Sequence, residues 1–138
     1  MGKKEIELLD RILEKLDYID PPVKKYQVNS DDPEIGVYLV DLEDVCYITT
    51  KHDHGRDEVV FVTTEKNYYS NEGLKDIENR LAENPYFMRT SKYYIVNLSM
   101  ITGLSMNNAR DLWFKWLDKP IVNGVTGTYL REFEERLK

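Results

Sequence analysis

The sequence predicts a mainly β domain with flanking helices, an α+β arrangement of antiparallel strands with an amphipathic helix at each end and a third in the middle. Three observations predict it. Short β-branched and aromatic runs separated by polar turns fill residues 37–117, an apolar period of three and four occupies the start of the chain, and the same period returns at its end. With 138 residues, 41% of them hydrophobic, and ten Tyr, four Phe and two Trp, the chain has the size of one domain and the apolar bulk for a core.

In chain order, Ile6, Leu9, Leu13 and Leu16 form a helical stripe between residues 3 and 19, widened by Leu8, Ile12 and Ile19, and Pro21-Pro22 ends it. Such a stripe packs on its own domain or forms the seam of a homodimer, and two heptads do not decide between them. The turn-rich Asn29-Ser30-Asp31-Asp32-Pro33 then separates an N-terminal helix and linker, residues 1–33, from the domain proper, residues 34–138. Val37–Val40, Val45–Ile48 and Val59–Thr63 read as strands, with Lys51–Asp57 as a hairpin end. Glu72–Glu83 reads as a short helix with Leu74, Ile77 and Leu81 inside, capped by Ser70 or Asn71 and stopped by Asn84-Pro85. Tyr93–Val96, Met100-Ile101 and Leu112–Leu117 continue the strands, with a turn at Asn107-Asn108, and Tyr129–Leu137 closes the chain as a helix through Phe133 and Leu137. Trp113 and Trp116, three apart on a strand, should face opposite ways with at least one in the core.

The formal charge of −6 argues against a nonspecific nucleic-acid binder, because counterion release needs Lys and Arg at phosphates. The average conceals a gradient. Residues 1–48 carry six basic and twelve acidic residues, 49–88 five and eight, and 89–138 eight and five, so an anion-binding face should draw mainly on the last third. No apolar run approaches the length of a membrane span and the start is charged, so a cytoplasmic protein with no membrane contact is expected. Cys46, the single cysteine, sits in an apolar strand and reads as a buried thiol rather than a nucleophile. His52 and His54 with Asp53 and Asp57 form the one constellation that invites a metal, but two His and one Cys fall short of an ordinary zinc set. No phosphate loop or nucleophile elbow stands out, so neither cofactor nor enzymatic chemistry is expected.

The run Tyr86-Phe87-Met88-Arg89-Thr90-Ser91-Lys92-Tyr93-Tyr94-Ile95-Val96-Asn97, followed by Ile101, resembles the central motif of the LytTR DNA-binding domains of bacterial response regulators. That motif is an aromatic pair, Arg, a short polar stretch, then an aliphatic pair with Asn and a later Ile. Asp44–Ile48, Leu74–Glu78 and Val125–Leu130 resemble three further pieces in the same order, and the resemblance spans roughly residues 36–138. It implies an elongated antiparallel β-β-β fold that grips duplex DNA with loops instead of a recognition helix, in a transcriptional regulator. On this reading a short helical extension is expected where such regulators carry a receiver domain.

Carried over residue by residue, the resemblance implies DNA contacts from His52 or His54 and their neighbours Lys51 and Arg56 in the first loop. Ser91 and Lys92 follow in the second loop, and Thr126 and Thr128 in the third, while Arg89 either reaches a phosphate or braces its loop. Lys92 also stands on its own chemistry, since an ammonium in a polar turn before an aromatic strand stays solvated as a point charge for phosphate. Where many family members carry an Arg just after a Ser, this chain has Thr126-Gly127, so one base contact of the family is expected to be missing. The partner implied is duplex DNA with repeated half-sites, read by a homodimer if residues 3–19 pair two copies. The alternative is a protein-interaction module of the same fold that has weakened or lost DNA binding.

Overall fold

The structure, a computed structural model, describes residues 24–53, 56–105 and 110–137, with the backbone alone at 52, 53, 56 and 57. The expected helix over residues 3–19 and the turn at Asn107-Asn108 lie outside the described residues. The strands are β1 (Lys25–Asn29), β2 (Val37–Asp41), β3 (Val45–Asp53), β4 (Arg56–Thr63), β5 (Asn67–Ser70), β6 (Phe87–Arg89), β7 (Tyr94–Asn97), β8 (Ile101–Leu104) and β9 (Leu112–Phe114). Helix α1 (Leu74–Arg80) lies between β5 and β6, and α2 (Gly127–Leu137) ends the chain. Seven strands form one antiparallel sheet in the order β2-β1-β5-β4-β3-β7-β6, and β8 and β9 pair as a separate ribbon. Among the described residues no helix is long and apolar enough to cross a membrane.

The central strands alternate between two cores, as the period of two requires. Phe87 of β6 and Ile95 of β7 enter a cluster with Tyr26, Ile48, Phe61 and the α1 residues Leu74 and Ile77. Their neighbours Met88 and Val96 enter the other, with Met100, Leu112, Phe114 and Phe133. So α1 and the β1–β2 hairpin pack on one side, and the β8–β9 ribbon and α2 on the other. β3 serves both sides by a bulge. Its pairing with β4 shifts between Val45 and Tyr47, so consecutive Cys46 and Tyr47 both pack in the second cluster, while Val45 and Ile48 pack in the first.

Several local expectations are corrected. Residues 25–29, read as linker, form β1, which pairs along its whole length with β2 and buries Tyr26 and Val28. A five-residue strand with two inward side chains is too short a period to stand out beside the charged Lys24-Lys25. Helix α1 stops at Arg80, and Leu81 stays buried in the turn that follows. Gly73 is its N-cap with no side-chain bond, because the Ser70 hydroxyl accepts from the Glu72 N–H, 3.2 Å, and forms its own turn. Strand β9 ends at Phe114, since Trp116 takes a left-handed φ of 66°, and both tryptophans are exposed, Trp113 at 42% and Trp116 at 82%. In α2 the buried stripe narrows to Phe133, flanked by half-buried Tyr129 and Leu130, with Leu137 exposed.

Asn97, 1% exposed at the end of β7, ties the elements around it. Its Nδ2 donates to the carbonyls of Leu42 (3.3 Å) and Val45 (2.9 Å), and its Oδ1 accepts from the N–H (3.0 Å) and hydroxyl (2.7 Å) of Ser99. One amide therefore closes the β2–β3 connection and starts the turn Leu98–Met100.

Cys46 is fully buried, and that burial, with the nearby Asp44 carboxylate adding to it, pushes its thiol from 9.0 up to about 11. Below 9.0 the thiol keeps its proton in both states and its contribution to stability is full; between there and about 11 only the unfolded chain ionises, so that contribution is lost as pH rises. We expect Cys46→Ala to flatten the alkaline fall of stability over that window, measured as urea midpoints across pH. Folded protein should also resist thiol labelling that unfolded protein accepts quickly.

Candidate functional site

Strand register brings the three sequence-predicted segments to one end of the main sheet. β7 begins at Tyr94, opposite Thr49 of β3, so the β6–β7 loop leaves the sheet there. β3 and β4 continue past that point, pairing through Lys51↔Glu58 and His52↔Asp57 to Asp53↔Arg56, so their hairpin projects by roughly 13 Å, at about 3.3 Å per residue, beside the loop. The third segment is pinned to the second, because the Thr126 N–H donates to the Thr90 carbonyl at 2.9 Å. Helix α2 starts directly after this bond, its first turn closed by Tyr129 N–H to Thr126 carbonyl, 3.0 Å. The first amides of a helix have no partner within it and carry the positive end of its dipole, so this is an electrostatically suitable place for an anion.

The β6–β7 loop is held from inside. Arg89, its side chain 15% exposed, donates from Nε to the Ser91 carbonyl and from Nη2 to the Lys92 carbonyl, both 2.7 Å. Its Nη1 is 3.0 Å from Glu78 Oε1 on α1. With three bonds on one planar guanidinium, Arg89 is placed as the loop's brace. Ser91 is buried, and its hydroxyl accepts from the Tyr93 N–H at 3.0 Å, so it faces the loop's own backbone. Lys92 is exposed at the tip, its ammonium 6.0 Å from the centre of the Tyr93 ring, and that ring is itself 56% exposed.

Of the other expected contact residues, Lys51 is exposed on β3, and Thr126 and Thr128 are exposed beside Gly127. A Cβ built on Gly127 meets nothing within 4 Å, and its backbone is not left-handed, so a side chain can start there without clash or strain. His52 pairs with Asp57 and Arg56 with Asp53 where β3 and β4 meet, while His54 lies outside the described residues. Sequence reasoning missed Tyr93 as a surface group: read as the first residue of a strand, it stands in the loop before β7 and presents its ring to solvent. The signal was present in the pair Lys92-Tyr93, a cation followed by an aromatic in a polar turn.

A family model described as LytTr DNA-binding domain matches residues 36–138. Among curated proteins none matches significantly. Among solved structures the chain is similar to the LytTr DNA-binding domain of a Bacillus cereus protein described as a methyl-accepting/DNA response regulator. That similarity has a TM-score of 0.65 at 17% identity, and covers 83% of this chain and 97% of the other.

Proposed function

The chain belongs to the LytTR family of DNA-binding domains, whose members serve transcriptional regulation, and from that premise we propose that it reads duplex DNA selectively through the loops at the hairpin end of its sheet. The observation that carries this reading is the bond from the Thr126 N–H to the Thr90 carbonyl. It joins the start of α2 to the braced loop that displays Lys92 and Tyr93, beside the β3–β4 hairpin. Lys92 is the phosphate contact, Thr126 and Thr128 with the first amides of α2 take an adjacent phosphate, and the hairpin around Lys51, His52, His54 and Arg56 enters a neighbouring groove. Arg89 and Ser91 act through the loop: one braces it against α1 and the other holds its turn. Repeated half-sites fit such a reader, which would act on DNA in the cytoplasm.

The test is selection of bound duplexes from a randomised pool, followed by affinity for the enriched duplex at two salt concentrations. Enrichment of a repeated motif is the expected result. Lys92→Ala should weaken binding on every sequence alike and reduce the salt slope by about 1, as loss of a single phosphate contact does. No enrichment at low salt would overturn the reading in favour of a protein-interaction module, which the bare surface at Gly127 favours.

A further inference from the structure

We infer that residues 3–19 dock in cis on the end of the domain opposite the hairpin, with Trp116 and the cavity beside Lys115 receiving their apolar stripe. This inference is independent of the DNA-binding reading. The chain enters the described fold at Lys24, whose carbonyl accepts from the Leu42 N–H at 2.9 Å. Leu42 opens the turn into Val45, the first residue of β3, and Asp53 at the other end of that nine-residue strand carries the hairpin. The entry point therefore stands a full strand length, roughly 26 Å at about 3.3 Å per residue, from the proposed DNA contacts.

At that end lies a cavity of about 350 Å³ with an apolar floor of Leu42, Tyr86, Phe87 and Met100. Lys24, Glu43 and Lys115 stand at the same cavity. The next residue, Trp116, is 82% exposed on a left-handed turn. The turn is anchored on both sides of the Lys115 peptide, with Lys115 N–H donating to the Met100 carbonyl at 2.8 Å and Cys46 Sγ donating to the Lys115 carbonyl at 3.8 Å. An indole held in water by an anchored backbone is an unsatisfied apolar surface of the kind that forms the centre of an interface.

The length, charge and tethering of the preceding chain commit this surface to that segment. As a helix, residues 3–19 span about 25 Å, and the four residues 20–23 reach up to about 13 Å, so the stripe of Ile6, Leu9, Leu13 and Leu16 can fold back over the cavity and Trp116. Residues 1–23 carry four basic and six acidic residues, net −2, against a cavity edge that holds Lys24, Lys115 and Glu43, net +1. A segment joined to its target by four residues is present at an effective concentration on the order of millimolar, so at micromolar protein it outcompetes a second copy.

The test uses the full chain with Trp113→Phe, which leaves Trp116 as the sole tryptophan, and follows acrylamide quenching. Leu9→Asp with Leu13→Asp should raise the quenching constant several-fold and red-shift the emission, while sedimentation shows a monomer throughout. Quenching as fast before the Asp substitutions as after them overturns the proposal. So does protection that grows with protein concentration alongside dimer formation, which assigns the surface to a second copy. The reciprocal measurement is hydrogen exchange of residues 6–19 in Trp116→Ala, a substitution at a side chain the described fold leaves in solvent. Exchange accelerated several-fold supports docking, and unchanged exchange overturns it.

Discussion

Asn97→Ala should melt the domain at a far lower temperature than any surface substitution. The variant removes four hydrogen bonds made by one buried amide and leaves the carbonyls of Leu42 and Val45, together with the N–H and hydroxyl of Ser99, to find new partners. A buried polar group left unpaired costs about 1 to 3 kcal/mol. Water can enter from the cavity that Asn97 and Ser99 line and satisfy some of them, so a total of about 3 kcal/mol and a fall of roughly 10 °C in melting temperature are expected. Asn97→Asp separates the two halves of the amide. It keeps the acceptor for Ser99 but brings a carboxylate against two carbonyls, so it should be as damaging as the alanine, and less so at acid pH where the carboxyl can donate. Calorimetry of the three proteins measures this directly. A shift of only a degree or two for Asn97→Ala would mean that the β2–β3 connection is held without it.

Gly127→Arg is expected to tighten DNA binding. The site is exposed, has no neighbour within 4 Å of a built Cβ, and stands between Thr126 and Thr128 at the start of α2. A guanidinium there can bond a guanine edge in two places, a contact worth about 1 to 3 kcal/mol, so affinity for a duplex carrying the matching base should rise roughly tenfold or more. Gly127→Ala is the control. Alanine removes a glycine from the first helical position and should raise stability slightly, by less than about 1 kcal/mol, whereas the arginine sets a cation at the positive end of the helix dipole and loses that gain; only the arginine can alter affinity or selected sequence. If duplexes reselected with Gly127→Arg show neither a new preferred base nor tighter binding, the start of α2 does not face the bases.

The central motif shows how far a sequence reaches. Tyr94-Ile95-Val96-Asn97 announces a buried strand by its composition, and the structure sends Ile95 into one core and Val96 into the other, as alternation demands. The same reading placed the loops after β3, after β6 and before α2 as a set, because the resemblance supplied their order. It could not assign tasks within a loop. Arg89 and Lys92 are both basic and three residues apart, yet one is spent on Glu78 and two loop carbonyls while the other stands in solvent. That division depends on Glu78, eleven residues earlier on α1, which no local pattern connects to the loop. Ser91 is another case: the resemblance implied a DNA contact there, and a turn inside the loop claims its hydroxyl.

The tryptophans mark the same boundary from the opposite side. The alternation Leu112-Trp113-Phe114 is a strand that already faces Trp113 outward, and extending it by two residues put the other indole in the core, whereas the left-handed turn at Trp116 ends the strand and leaves that indole in solvent too. By itself the sequence determined the family, through the motif that runs from Tyr86 to Ile101, and the β body with helices and the alternating faces, since these rest on periods of two and of three to four that are local and survive any arrangement in space. Only the tertiary structure decided which end of the sheet carries the loops, which cation is a brace, and where the chain enters. Each of these is fixed by strand register and by hydrogen bonds between residues far apart in sequence, and a register is a sum over many weak contacts that no single stretch encodes.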